Sequence, residues 1–266
     1  MLTKTISLIP GREDVTLTAL CWEPSPALQD ASRPRPGLLI LPGGGYQSHA
    51  HREMEPIAVR FAAMGYHTFI LRYSLRRADG GCLHPQPLIE VALAMRCIRE
   101  HAAEWCLDPA RVGICGFSAG GHAALLYAVS WRQPWLSGAA GCAAELLRPA
   151  LCIAGYPVVD YMAWTDAQCP HPVTRQVRDE CRTGLFGVAD PDPALLEATN
   201  PVLQVTADTP PMTPSTSKAD SKGLAFSSRV PTQAWKVSSQ ATRVSAMRGP
   251  TQAWEIWKTR NMMPAK

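Results

Sequence analysis

Residues 111–124 read RVGICGFSAGGHAA, and three structural signals follow one another within them. The apolar run 111–117 predicts a buried strand, a glycine-bounded turn follows, and residues 119–129 predict a helix. A serine at the centre of such a strand–turn–helix segment projects its hydroxyl at the carboxyl edge of a sheet. Gly116 and Gly120 lack Cβ atoms, so we expect them to let neighbouring backbone pass close to the turn. The stretch therefore predicts an α/β fold in which Ser118 is presented for chemistry.

A second glycine motif, LPGGGY, lies upstream at residues 41–46 and ends the apolar run 37–41. Three consecutive glycines cost chain entropy, which is reasonable where backbone N–H groups must approach a ligand. The motif could instead be a simple turn; a phosphate loop is disfavoured because no Lys-Ser/Thr pair follows. Together with Ser118, it predicts an oxyanion hole formed by the N–H groups of Gly44, Gly45 and Ala119.

The rest of the first 200 residues alternates between strand and helix patterns. Strands are predicted at 15–22, 37–41, 66–72, 111–117 and 150–157, and helices at 52–64, 86–105 and 119–129. Alternation with short loops predicts a doubly wound, mostly parallel sheet. Residues 160–200 are rich in Pro, Asp and Arg and follow a strand, where sheets of this kind place loops or a lid over the ligand.

The composition excludes several other classes of protein. The chain has 266 residues, of which 46% are hydrophobic and 18% charged, as in ordinary globular proteins. No apolar run reaches the roughly 20 residues of a membrane span, and residues 1–14 contain no secretory signal, so the cytoplasm is the expected location. Nine scattered cysteines without CxxC spacing predict reduced, mostly buried thiols rather than disulfides or a metal site.

Charge divides the chain after Pro211. Residues 1–211 hold 17 lysines and arginines against 20 acids, whereas residues 212–266 hold nine against two. The second block also has few apolar residues, so we interpret 1–211 as the folded domain and 212–266 as a basic, poorly ordered tail. Such a tail could contact nucleic acid or an anionic surface. Disorder is the favoured interpretation, and neither a nucleic-acid nor a membrane partner is expected.

These motifs resemble the α/β-hydrolase superfamily, in particular the esterase branch that includes acetylxylan-esterase-like and BD-FAE-like proteins. The matching stretches are LPGGGY (41–46), LRYS (71–74), DPARVGICGFSAGGHAA (108–124), GYPVVD (155–160) and NPVLQVTADTPP (200–211). The resemblance implies that Ser118 is the nucleophile and that Ala119 and loop 43–45 bind the oxyanion. It also implies small acyl esters, often acetyl groups on sugars, as substrates, and neither metal nor cofactor.

The same resemblance implies a triad acid and histidine late in the chain, after a strand that follows Thr209-Pro210-Pro211. Here MTPSTSKADSKG follows without a strand pattern, and every histidine lies at or before position 171. The C-terminal part is thus interpreted as truncated or replaced, and the chain as inactive for want of the histidine. Read one base out of phase, codons allowed for residues 228–235 can spell HVFPHRHG, which suggests a frameshift. The nucleotide sequence tests that hypothesis.

Other histidines and acids of the chain are alternatives for the triad base and acid. His122, on the predicted helix, is expected to pack or hydrogen-bond beneath the turn because its side chain points away from Ser118. His49 and His51 are expected in a surface loop and His171 in the lid. Asp160 is expected to fix a loop and Asp208 to cap a turn. A non-catalytic binding protein and a peptidase of the same fold stay open as alternative functions.

Overall fold

The computed structural model describes residues 1–25, 33–162, 164–167 and 171–215. The predictions made for 216–266 therefore lie outside the described residues, as does most of the interpretation that the C-terminal part is truncated or replaced. The described strands are β1 Leu2–Ile9, β2 Arg12–Cys21, β3 Arg35–Leu41, β4 His67–Arg72, β5 Leu107–Phe117, β6 Cys152–Gly155 and β7 Met212–Ser215. They form one sheet in the order β1-β2-β4-β3-β5-β6-β7.

The sheet is parallel from β4 to β7 and antiparallel at its β1–β2 edge. β3 pairs in parallel with both β4 and β5, and β5 continues to β6 and β7. The N-terminal hairpin β1–β2 joins β4 antiparallel. The described helices are α1 Glu55–Ala62, α2 Gln86–Glu100, α3 Ala119–Ser130, α4 Pro134–Ala140, α5 Pro172–Phe186 and α6 Pro193–Ala198.

Both faces of the sheet are covered, as the continuous apolar runs of its central strands require. Successive side chains of β3 enter different cores: Leu38 and Ile40 pack with Ala58 of α1, whereas Leu39 and Leu41 join the larger cluster that contains α2 and α3. Every residue of α3 is buried. The predicted doubly wound, mostly parallel α/β fold is confirmed.

Local boundaries differ from the prediction for physical reasons. Strand β1 is missing from it altogether. The predicted helix 86–105 ends at Glu100, because residues 101–106 turn the chain back so that Leu107 can pair with Arg35. The predicted helix 52–64 begins as a 3-10 turn, His51–Glu53, before α1.

The largest corrections concern the end of the described chain. The region 160–200, predicted as loop or lid, contains two helices, α5 and α6. The absence of a strand pattern after Pro211 was misleading, because Met212–Ser215 form β7 beside β6, with Cys152 opposite Met212. An exposed strand edge offers unpaired N–H and C=O groups, so four residues can pair there without a strong pattern of their own. The sheet thus runs past the predicted boundary at 211.

Candidate active site

Ser118 occupies the turn between β5 and α3 with a backbone that side chains rarely adopt. Its φ and ψ are 49° and −117°, and such strain persists only where surrounding structure over-determines it. The Ser118 N–H donates to the Gly155 carbonyl at 2.9 Å, and its carbonyl accepts from His122 N–H at 2.9 Å. Its partly exposed hydroxyl makes no hydrogen bond to any residue that the structure describes.

Gly116 and Gly120 allow the turn to pack without space for a methyl group. A Cβ at Gly116 would lie 2.1 Å from the Gly120 carbonyl oxygen. A Cβ at Gly120 would lie 2.3 Å from the carbonyl oxygen of Leu41, the last residue of β3. The start of α3 therefore lies directly against the end of β3, from which the glycine loop departs.

The glycine loop (residues 43–45) lies beside Ser118. A Cβ at Gly43 would be 2.9 Å from Ser118 Cβ. Gly44 and Gly45 both have positive φ, 131° and 65°, which favours glycine. Among the described residues, neither of their N–H groups has an acceptor, and Ala119 N–H, at the first position of α3, has no intrahelical one. Their role as oxyanion donors stays a prediction.

Glu53, which the sequence prediction missed, anchors this loop. It is 3% exposed, and its Oε2 accepts a hydrogen bond from Gly43 N–H at 2.8 Å. Its Oε1 accepts from Tyr156 Oη at 2.5 Å and lies 3.1 Å from Arg52 Nη2. Nothing in the local sequence distinguishes Glu53 from Glu55, which is exposed. Only the closure of the loop identifies it.

Tyr156 follows β6 with φ 37° and bonds to Glu53 from the end of that strand, which β5 separates from β3 in the sheet. Burial, reinforced by the bond to Glu53, raises its pKa to about 12. The phenol therefore stays protonated, and its O–H donates a hydrogen bond to the carboxylate. The end of β6 is in this way connected to the loop that leaves β3.

His122 is buried and hydrogen-bonded through both ring nitrogens, as the sequence led us to expect. Since the Thr199 carbonyl can only accept, Nε2 donates to it at 2.8 Å, and Nδ1 accepts from Tyr46 Oη at 2.7 Å. Burial lowers the pKa of the ring to about 4. A neutral imidazole with both nitrogens engaged cannot take the proton of Ser118.

The other candidate histidines do not supply a base to Ser118 in the described structure. His49 packs edge-on against Tyr73 with ring centroids 5.0 Å apart, and burial lowers its pKa to about 4. His51 is exposed. His171 caps α5, where its side chain accepts from Val173 N–H. Each of these side chains has a structural explanation or faces solvent.

The two acids have local roles. Asp160 Oδ1 accepts from the backbone N–H of Met162 at 2.8 Å, which is the loop-fixing role expected for it. Asp208 was expected to cap a turn, and this is wrong: its carboxylate pairs with Arg132 Nη1 at 2.6 Å. The nearby guanidinium offers a charged partner that a turn N–H cannot match.

Helix α5 supports the glycine loop from outside. A Cβ at Gly184 would lie 2.0 Å from the Gly45 carbonyl oxygen, so helix and loop are in close backbone contact. Gln47 Nε2 donates to the Glu180 carbonyl at 2.7 Å. The part of the chain predicted as a lid thus includes a buttress for the loop that faces Ser118.

Comparison with known proteins agrees with this geometry. The family model BD-FAE matches residues 27–223. The chain belongs to the BD-FAE family. The resemblance inferred from the motifs, to the esterase branch of the α/β-hydrolases, is therefore confirmed.

Several relatives of this BD-FAE member, and several solved structures of similar proteins, bear ester-hydrolase names. It is 28% identical to Esterase LipQ of Mycobacterium tuberculosis over 69% of this chain and 44% of LipQ. It is 31% identical to an acetylxylan esterase of Xylanibacter ruminicola over 45% of this chain and 22% of that protein. A lipase/esterase from Lactobacillus plantarum superposes with a TM-score of 0.67 at 25% identity, covering 88% of this chain and 84% of that chain. The chain spans less than half the length of the curated relatives it matches.

The described residues contain neither a membrane-spanning helix nor a cluster of metal-ligating side chains. No helix there is both long and apolar enough to cross a bilayer. No group of three or more His, Cys, Asp or Glu side chains in the same residues could hold a metal ion.

Proposed function

We propose that this chain is a serine hydrolase of carboxylic esters, with Ser118 as the nucleophile. The observation that carries the proposal is the meeting of an unbonded Ser118 hydroxyl with the glycine loop. Ser118 Oγ attacks the ester carbonyl carbon, and the N–H groups of Gly44, Gly45 and Ala119 receive the negative charge that develops on the carbonyl oxygen. The C–O bond to the alcohol then breaks, and the alcohol leaves with a proton from solvent, which has taken up the proton lost by Ser118 Oγ. Water then adds to the acyl-serine, the acid is released and Oγ regains a proton.

Short acyl esters, such as acetylated sugars, are the proposed substrates. The name of the acetylxylan esterase from Xylanibacter ruminicola supports this class, as does the resemblance of the motifs to acetylxylan-esterase-like proteins. The partner implied is a small-molecule ester.

The proposal includes slow turnover by the chain with this sequence. No histidine hydrogen-bonds to Ser118 within the described residues, and none follows position 171 in the sequence. Loss of the base from a serine triad lowers kcat by about a million-fold, while the oxyanion hole and substrate binding retain about 10³–10⁴ over water. We expect that residual rate.

Hydrolysis of p-nitrophenyl acetate tests the assignment. We expect slow turnover with an acetyl-Ser118 intermediate, detected as added mass on the peptide that contains Ser118; Ser118→Ala abolishes this acetylation and Ser137→Ala, a change on α4, leaves it intact. Absence of acetylation at Ser118 in the wild type would exclude Ser118 as the nucleophile. Rapid turnover that Ser118→Ala removes would contradict the slow rate and would show that another group acts as the base.

A non-catalytic binding protein is the second candidate, and the absence of a base bonded to Ser118 in the described residues favours it. A fluorophosphonate probe in long incubations separates the two, since it bonds, slowly where no base is present, to a serine hydroxyl that lies against oxyanion donors. Modification of Ser118, located by peptide mass, supports the hydrolase. An unlabelled protein that still binds acetylated xylo-oligosaccharides supports the binding protein.

A further inference from the structure

We propose that Glu53 is a positioning residue of the oxyanion hole. Its carboxylate ties the glycine loop to the chain after β6 and so keeps the loop, with the N–H groups of Gly44 and Gly45, in place beside Ser118. This inference rests on the proposed function and adds to it the device that orients the hole.

Glu53 is a buried acid whose carboxylate has hydrogen-bonding and charged partners. A carboxylate that is 3% exposed loses its hydration, which is tolerated only where hydrogen bonds and opposite charge replace water. Gly43 N–H, Tyr156 Oη and Arg52 Nη2 provide these replacements. The neighbouring residue, the glycine loop and the chain after β6 thus each provide one group to this side chain.

The carboxylate of Glu53 lies beside the glycine loop and close to Ser118. A Cβ at Gly43 would be 2.9 Å from both Glu53 Oε2 and Ser118 Cβ. The carboxylate and the Cβ of the nucleophile therefore lie on the same side of Gly43, around the space that its missing side chain leaves. The bond from Gly43 N–H to Glu53 fixes the Pro42–Gly43 peptide plane, which directly precedes the peptide that carries the N–H group of Gly44.

Glu53 does not act directly as a base on Ser118. Both carboxylate oxygens already accept hydrogen bonds, and the structure shows none between Glu53 and Ser118. Glu53 therefore acts through the loop. Since oxyanion stabilisation depends on donors that are already oriented, disorder in the loop lowers the rate of the chemical step more than substrate binding.

Four variants separate positioning from general stability. Glu53→Ala removes both ties, whereas Glu53→Gln keeps an oxygen to accept from Gly43 and an amide to bond to Tyr156. Tyr156→Phe removes only the tie to β6. Glu55→Ala, two residues away and exposed, is the matched control.

The experiment measures amide hydrogen exchange of the peptide covering residues 41–50, together with kcat and KM for p-nitrophenyl acetate. In Glu53→Ala we expect exchange at the glycine loop to rise about ten-fold or more and kcat to fall at least ten-fold with KM unchanged. For Glu53→Gln, we expect loop exchange and kcat within about three-fold of the wild-type values. For Glu55→Ala, we expect the wild-type values of both. Tyr156→Phe is expected to lie between wild type and Glu53→Ala.

Unchanged exchange at the glycine loop in Glu53→Ala would overturn the inference. A loss in Glu53→Gln as large as in Glu53→Ala, or an effect on KM alone, would also overturn it. If Glu53→Ala does not fold, unchanged exchange at the glycine loop in Tyr156→Phe would overturn the inference instead. Absence of acetylation at Ser118 in the wild type would instead refute the proposed function, and the exchange data would still decide the role of Glu53.

Discussion

At the residue scale, the turn around Ser118 depends on side chains that are missing. Both Gly116 and Gly120 face backbone carbonyl oxygens at distances no Cβ tolerates. Backbone cannot rotate away as the end of a flexible side chain can, so a methyl group there must displace β3 from α3. The serine and its glycines form one geometric unit.

Gly120→Ala is therefore expected to lower the free energy of unfolding by about 1–3 kcal/mol, as overpacking does, and to slow fluorophosphonate labelling of Ser118. Gly138→Ala is the control. Gly138 lies in α4 with nothing within 4 Å of an added Cβ, so this change is expected to stabilise by up to about 1 kcal/mol. Urea unfolding measures both; equal values for the two variants would contradict the packing argument.

Residue type alone was sufficient to predict Ser118 and its glycines, because the turn demands them locally. Glu53 could not be found in this way, since its role arises only when loop 43–53 closes on itself and Tyr156 arrives from another strand. The role of His122 similarly depends on Tyr46 and Thr199, which lie 76 and 77 residues away.

At the element scale, α5 lies in the region predicted as a loop or lid and contacts the glycine loop; the lid role itself stays a prediction. Its Gly184 contacts Gly45, and the Leu185 carbonyl accepts from Leu83 N–H at 2.8 Å. The helix thus joins the glycine loop to the segment before α2. The region's Pro, Asp and Arg content concealed this helix, as the four-residue length of β7 concealed that strand.

Gly184→Ala places a methyl group 2.0 Å from the Gly45 carbonyl oxygen, so α5 and the glycine loop must separate. We expect a loss of about 1–3 kcal/mol in unfolding free energy and at least a ten-fold slower modification of Ser118. The same labelling assay on Gly138→Ala, a glycine change in another helix, shows the effect of a distant substitution. Labelling at the wild-type rate in Gly184→Ala would show that α5 does not orient the loop.

At the scale of the whole molecule, the fold keeps several imidazoles neutral. Burial lowers the pKa of four histidines to about 4: His49, His67, His84 and His122. In the unfolded chain a histidine titrates near 6.5. Between these values the unfolded state binds more protons than the folded state, so the free energy of unfolding falls as the pH falls from about 6.5 to about 4.

His122 is buried with both ring nitrogens hydrogen-bonded, and its share of this loss approaches about 3 kcal/mol at the acid end of the window. Urea unfolding at about pH 7 and about pH 4.5 should show a smaller difference for His122→Gln than for wild type. His51→Gln, a change at an exposed position, should keep the wild-type difference. If His122→Gln keeps it too, the ring is not held neutral by the fold.

The dihedral angles of Ser118 have a consequence for how this chain changes over generations. A non-glycine residue held in such a conformation costs the native state about 1–3 kcal/mol, and glycine would occupy it without that cost. Under selection for stability alone, mutation would favour glycine at 118. The proposed function therefore predicts serine rather than glycine at this position in homologues that retain acyl transfer, and glycine in lineages that have long abandoned it.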